Sequence, residues 1–297
     1  MLQDKVFQVL SGVIDSHIHV YPEISLKTPN AAYDDEWLAE AEAAGMRAVC
    51  LKSHYWPTVD KAHAYGRMFP GIEVYGGITL NNTVGGLNPM AVAVAIEDGA
   101  RIVWFPTWSA KNDVQKGGYS QRVASVYGKI SPPYLTVLDA EGRLLSEVKE
   151  ILSFIVQHDV ALATGHLSVA ESKVLIRSAR ELGIDKIVFT HALTKMVGAS
   201  LEDQREIAGM GAFIEHCFVA TMPMHQQLPP AKIVESIKAV GAERCIISSD
   251  TVFFWNPTPP KLMRMFIATL AEYGITTEEI NWMTRHNPAR LLGIRKE

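Results

Sequence analysis

The chain is poor in cysteine. Its 297 residues include three, Cys50, Cys217 and Cys245, each in an apolar, strand-like context. An odd number of buried thiols argues against a disulfide framework and predicts reduced cysteines in a cytoplasmic protein. Neither sign of charge is in excess: 28 Lys and Arg face 32 Asp and Glu, for a formal net charge of -4. Without a basic excess, binding to nucleic acid or to an anionic membrane is not expected. No apolar run approaches a membrane span. The first ten residues carry Asp4 and Lys5 and lack the apolar stretch of a secretory leader. There is no low-complexity tract and no domain linker, so residues 1–297 are expected to form a single domain. A small-molecule substrate is the expected partner, and a homo-oligomer stays open.

The sequence does carry a repeated alternation of short apolar runs and longer helical patterns. The runs Val13–His17, Arg47–Leu51, Glu73–Ile78, Arg101–Phe105, Val160–Ala163, Lys186–Phe189, Gly211–Ile214 and Cys245–Ile247 read as eight strands. The helical segments between them have start and stop signals. Trp37–Ala44 follows Asp34-Asp35 and ends at Gly45; a helix opening at Asn88-Pro89 closes at Gly99. Ser168–Leu182 ends at Gly183, and Ala231–Val240 ends at Gly241. Pro260–Tyr273 and Thr277–Met283 follow the last strand. Strands apolar on both faces, each followed by a helix, imply a parallel sheet. Eight such units in this length favour an α/β fold of the (β/α)8 TIM barrel type. Residues 107–143, rich in Gly, Pro, Ser and Tyr, interrupt the pattern after strand four. They read as a lid-like insertion over the C-terminal face, with a small hairpin in Thr136–Leu145.

The chemistry sits at the strand ends. In Asp15-Ser16-His17-Ile18-His19, strand alternation projects both histidines from one face, half of a divalent-metal site. Strand five ends in Thr164-Gly165-His166, strand six in Thr190-His191 and strand eight in Ser249-Asp250. One histidine at a strand end is usually structural. Imidazole or carboxylate at four strand ends on one rim points to a shared site.

These motifs, together with Asn287-Pro288-Ala289-Arg290-Leu291-Leu292-Gly293, resemble the amidohydrolase superfamily over nearly the whole chain. The resemblance is to a poorly characterised branch with no settled activity. It implies that His17, His19 and Asp250 hold one metal, and that His166 and His191 hold a second or orient substrate. The metal expected is Zn2+, with Mn2+ or Fe2+ as alternatives. Asp15 is expected to buttress the histidines without binding metal. The chain departs from the superfamily at strand four, where Trp104-Phe105-Pro106-Thr107-Trp108 contains no lysine to carry a bridging carbamate. Lys52, ending strand two, is the substitute. Either its amine is carboxylated and bridges metals, or it stays cationic and pairs with Asp250 or a substrate carboxylate.

Several further residues are candidates for substrate contact. His54 shares the strand parity of Lys52. Asn81 follows strand three and either binds substrate or shapes a turn. Trp104 is either a pocket wall or barrel core, and His216 either meets substrate or is structural. His63, His158 and His225 read as surface residues. The expected activity is hydrolysis of a lactone, amide or cyclic amide by a metal-bound hydroxide, with Asp250 shuttling the proton. The first histidine pair lies so near the N-terminus that a barrel-only form is expected. Nonoxidative decarboxylation of an unsaturated acid is the nearest alternative, and a non-catalytic metal-binding scaffold is the third.

Overall fold

The computed structural model describes residues 9–23, 25–28, 30–117, 133–251 and 253–295. The strands are β1 (Ile14–His19), β2 (Ala48–Lys52), β3 (Glu73–Tyr75), β4 (Gly77–Thr79), β5 (Ile102–Trp104), β6 (Ala161–Ala163), β7 (Ile187–Phe189), β8 (Phe213–Cys217) and β9 (Cys245–Ser248). β3 and β4 are halves of the third expected strand, parted at Gly76, so all eight expected strands are present. Pairing follows chain order, β1-β2-β3 and then β4 through β9. Neighbours are parallel throughout, as the βαβ pattern requires.

Hydrogen bonds cross both seams between the two sheets. Asp250 N–H donates to His17 O (2.9 Å) and His19 N–H to Thr251 O (3.3 Å), tying the chain after β9 to β1. Thr58 N–H donates to Gly77 O (3.0 Å), and Gly77 N–H donates to Thr58 Oγ1 (3.0 Å), tying the loop after β2 to β4. The strands therefore encircle a common axis as a TIM barrel.

The helices lie where the sequence signals place them. Asn88 Oδ1 accepts from Ala91 N–H (3.2 Å), capping Pro89–Glu97. Ser168 and Glu171 exchange cap bonds at the start of Val169–Glu181. Alternation along the strands divides the core in two. Ile14, Ala48, Cys50, Trp104, Ala161 and Ile246 fill the barrel interior, while Val49, Leu51, Val103, Leu162 and Ile247 pack under the helices. A register irregularity in β1 between Asp15 and Ile18 resets its parity. Ile14 and both histidines can therefore face inward while Ile18 faces the helices.

Of the expected insertion at 107–143, residues 118–132 lie outside the described residues. The described part opens with the helix Lys111–Lys116 and ends in the hairpin, where Leu138 bridges Leu144. No helix among the described residues is long and apolar enough to cross a membrane.

Left-handed backbone turns the chain at three strand ends: Gly165 (φ 62°), His191 (φ 58°) and Asp250 (φ 53°). For the two non-glycines this is stored strain of the kind concentrated at functional sites. Glycine is required at 165 for a second reason. A Cβ there would stand 2.2 Å from Phe105 O and 2.6 Å from Pro106 O, both backbone atoms. Gly165→Ala is expected to cost roughly 2 kcal/mol or more in urea unfolding. Stability within about 0.5 kcal/mol of wild type, the size of a neutral surface change, would contradict this packing.

Candidate metal centre

Strand ends and the turns that follow them bring His17, His19, Lys52, His166, His191 and Asp250 to the C-terminal face, all of them buried. Asp250 is the hub. Its Oδ1 lies 3.2 Å from His17 Nε2 and 3.1 Å from His19 Nε2, and its Oδ2 lies 3.8 Å from His191 Nε2. The His166 ring stands edge-on to His191 with centroids 5.1 Å apart. Ligand atoms at bonding distance from one Zn2+ stand about 3–3.5 Å from one another. The His17–Asp250 and His19–Asp250 contacts meet that spacing, and the three ligand atoms lie within 4.8 Å of one another. His166 Nε2 and His191 Nδ1 are buried with no hydrogen-bond partner among the described residues. Uncompensated burial of polar nitrogen is unfavourable, and a bound cation would relieve it. The donor set of imidazole and carboxylate suits a divalent transition metal.

Buried carboxylates stand behind three of the imidazoles. His17 Nδ1 lies 3.1 Å from Glu215 Oε1, His19 Nδ1 3.1 Å from Glu23 Oε1, and His166 Nδ1 3.2 Å from Asp113 Oδ2. The His19–Glu23 contact is close but misaligned for a strong hydrogen bond. Each carboxylate favours a proton on Nδ1 and so leaves Nε2 as the lone-pair nitrogen. Burial pushes the Glu215 carboxyl up, but His17, His191 and the Ser248 hydroxyl outweigh it and hold it at about 2. Burial likewise pushes Asp250 up. The imidazoles of His17, His191 and His19 reverse that and keep it well below the usual carboxylate range. Asp15 lacks such neighbours. Burial raises it to about 7, against hydrogen bonds from Ser249 and from the backbone of His17. Its oxygens accept Ser249 N–H (3.2 Å) and His17 N–H (3.3 Å), so it braces β1 against the end of β9.

Residues 12–215 match the model of a family of unknown function, DUF6282. The chain belongs to that family. No curated protein matches this DUF6282 chain. Solved structures do resemble it along almost its full length. An amidohydrolase from Pseudomonas aeruginosa is 13% identical with a TM-score of 0.63, covering 97% of each chain. The lactonase Lmo2620 from Listeria monocytogenes is 14% identical with a TM-score of 0.60, covering 98% of this chain and 97% of its own. A 2,6-dihydroxybenzoate decarboxylase from Rhizobium is 10% identical with a TM-score of 0.60, covering 96% and 99%. At these identities the likeness shows the fold. That fold is the amidohydrolase one that the strand-end motifs resemble.

Beside the ligand cluster lies a cavity of about 60 Å³, lined by His19, His54, His166, His191 and Asp250 and flanked by Trp108, Met196, Val219 and Phe253. Of the four residues expected to meet substrate, His54 alone lines it. Asn81 is a brace instead. Its amide donates to His54 O and Thr107 Oγ1, and its Oδ1 accepts from Thr107 N–H and Ser109 N–H. Trp104 belongs to the barrel interior, below His17. His216 points to the helix layer and meets Ser236 Oγ at 3.1 Å, because Glu215 takes the inward position on β8. His225, read as a surface residue, lines the cavity and lies 3.2 Å from Asn256 Oδ1.

Sequence reasoning missed the three supporting carboxylates. Extending the alternation from Phe213 would have singled out Glu215. Glu23 sits four residues past His19 and Asp113 in the helix Lys111–Lys116 of the insertion, and neither position carries a periodic signal. Glu215→Gln is expected to leave the fold intact and weaken Zn2+ binding about 10- to 100-fold in a chelator competition. Unchanged affinity would show that Glu215 does not support a bound cation through His17.

Proposed function

We propose that this DUF6282 chain is a divalent-metal-dependent hydrolase acting on a carbonyl substrate such as a lactone, amide or cyclic amide. The observation that carries this reading is the convergence of His17 Nε2, His19 Nε2 and Asp250 Oδ1 within 3.2 Å contacts at the edge of a cavity. His17, His19 and Asp250 would hold the first cation, with His166 and His191 completing its shell or holding a second. A divalent cation bound there supplies Lewis acidity, which polarises a carbonyl oxygen and acidifies water.

The protein's own groups do the rest. Asp250 lines the cavity, with Oδ2 3.8 Å from His191 Nε2, and would take a proton from the attacking water and return it to the leaving group. The depressed pKa of Asp250 keeps it ionised near neutral pH. Trp108 and Phe253 present apolar walls that favour a flat, uncharged acyl group and keep bulk water out. Among the described lining residues there is no lysine or arginine to hold a substrate carboxylate. This favours hydrolysis of a neutral substrate over decarboxylation, although the decarboxylase named above shares the fold. The insertion after β5 would act as the lid.

Lys52 Nζ lies 2.9 Å from His17 Nε2, the nitrogen needed for a cation. Burial lowers its pKa despite Asp250, Glu215 and Glu23. A neutral amine adds carbon dioxide, and a Lys52 carbamate would put an oxygen where the amine now competes for His17. Incubation with 13C-bicarbonate is expected to give a carbamate signal that is absent in Lys52→Ala. A bare amine in the zinc-loaded protein would rule the carbamate out.

The central test is turnover of a panel of lactones, aryl esters and cyclic amides with Zn2+ or Mn2+ restored. Hydrolysis is expected to stop on chelation and to fall at least about 100-fold in Asp250→Asn, the scale of losing a general base. Carbon dioxide release without hydrolysis would replace this reading with the decarboxylase. A metal-loaded protein inert in both assays would favour the scaffold.

A further inference from the structure

His54 ends a chain of hydrogen bonds whose directions are all determined. Asn81 Oδ1 accepts two backbone donors, Thr107 N–H (3.0 Å) and Ser109 N–H (3.0 Å). Those donors cannot reverse, so the orientation of the amide is fixed. Asn81 Nδ2 then donates to His54 O (2.9 Å) and to Thr107 Oγ1 (2.7 Å). Thr107 is fully buried. Among the described residues its hydroxyl proton has one acceptor left, His54 Nδ1 at 2.8 Å. Leaving that proton unpaired would cost about 1–3 kcal/mol. Thr107 Oγ1–H therefore donates to Nδ1, and the neutral imidazole carries its own proton on Nε2.

Nε2 makes no hydrogen bond within the described residues. Its nearest carboxylate oxygen, Glu23 Oε1, is 3.8 Å away and already accepts His54 N–H at 2.7 Å. The ring is stacked on Trp108, with centroids 4.0 Å apart and planes at 23°, and it lines the cavity beside His19. A rigid donor is thus presented where substrate would lie.

We infer that His54 is a fixed hydrogen-bond donor to an oxygen of the bound substrate, with Thr107 and Asn81 as the positioning residues that select its tautomer. The inference rests on the carbonyl-substrate reading above and deepens it: the substrate offers an uncharged oxygen acceptor next to the one that meets the cation. It also separates two metal geometries. Ligand atoms of His19, Glu23 and His54 lie close enough together to hold an ion. A proton on His54 Nε2 opposes that arrangement and favours the cluster at Asp250.

Two measurements test this on the full chain. Imidazole 15N–1H correlation spectra are expected to show His54 protonated on Nε2 in wild type and in Thr107→Ser. In Thr107→Val, which removes the donor to Nδ1, the two nitrogens should average. An Nδ1-protonated or averaged ring in wild type overturns the proposal, and a single unchanged tautomer in Thr107→Val overturns the role of Thr107. The second measurement is calorimetric binding, to the zinc-loaded protein, of benzohydroxamate, whose two adjacent oxygens meet a cation and keep lone pairs for a neighbouring donor. His54→Phe is expected to weaken it about tenfold, the size of one lost hydrogen bond. His54→Gln, which keeps an N–H near the Nε2 position, should stay within about threefold of wild type, and zinc stoichiometry should not change. Equal affinity in His54→Phe, or loss of zinc from it, overturns the proposal. If wild type binds no zinc, the cation reading fails while the spectra still decide the tautomer of His54.

Discussion

The site depends on the pairing of buried imidazoles with buried carboxylates. A histidine can turn either nitrogen toward a centre, and a free ring divides its proton between them. Glu215 behind His17, Glu23 behind His19 and Asp113 behind His166 favour the proton on the far side. The near nitrogens are left as lone pairs aimed at the cavity face. The carboxylates come from three different places: β8, the loop after β1 and the insertion after β5. The centre is therefore assembled by the whole barrel and not by any local motif.

Such a cluster is expensive to bury. Five imidazoles, a lysine and five carboxylates lie within the barrel mouth with almost no solvent contact. Without a counter-ion, their desolvation is offset only by mutual pairing. The pKa directions record the conflict. Burial lowers His17, His54 and His191 toward the neutral form, while Glu215 and Asp250 are held ionised by the imidazoles around them. His19 runs the other way: burial lowers it, but Glu23 and Asp250 outweigh that and raise it, so a divalent cation must displace its proton. The left-handed backbone at His191 and Asp250 adds strain to the same place. The surrounding barrel, with its continuous apolar layer beneath the helices, stabilises a mouth that does not stabilise itself.

The fold was legible because its signals are local and repeated. Apolar runs recur in every unit, and caps such as Ser168 with Glu171 and closing glycines such as Gly99 and Gly183 mark several of the helices. The principal ligands were legible because strand ends of a parallel barrel converge, so His17, His166, His191 and Asp250 could be placed together before any coordinates. What stayed hidden was second in line. Glu23 and Asp113 lie on a loop and in an insertion helix, where no periodicity says which way a side chain points. Glu215 and His216 are neighbours of opposite parity, and the expected strand stopped one residue short of choosing between them. Asn81 stood open between a substrate contact and a turn residue. Its four bonds to His54, Thr107 and Ser109 are invisible without the packing of three loops. His225 was misplaced for the same reason, since a loop residue reaches the cavity only through the path of its loop.

Anomalous diffraction from crystals grown with Zn2+, recorded across the zinc edge, tests the account most directly. It predicts a peak bounded by His17 Nε2, His19 Nε2 and Asp250 Oδ1, each at about 2.0–2.2 Å. A zinc-saturated crystal with no peak between those three atoms, or with its ion held by His19, Glu23 and His54 instead, would contradict it.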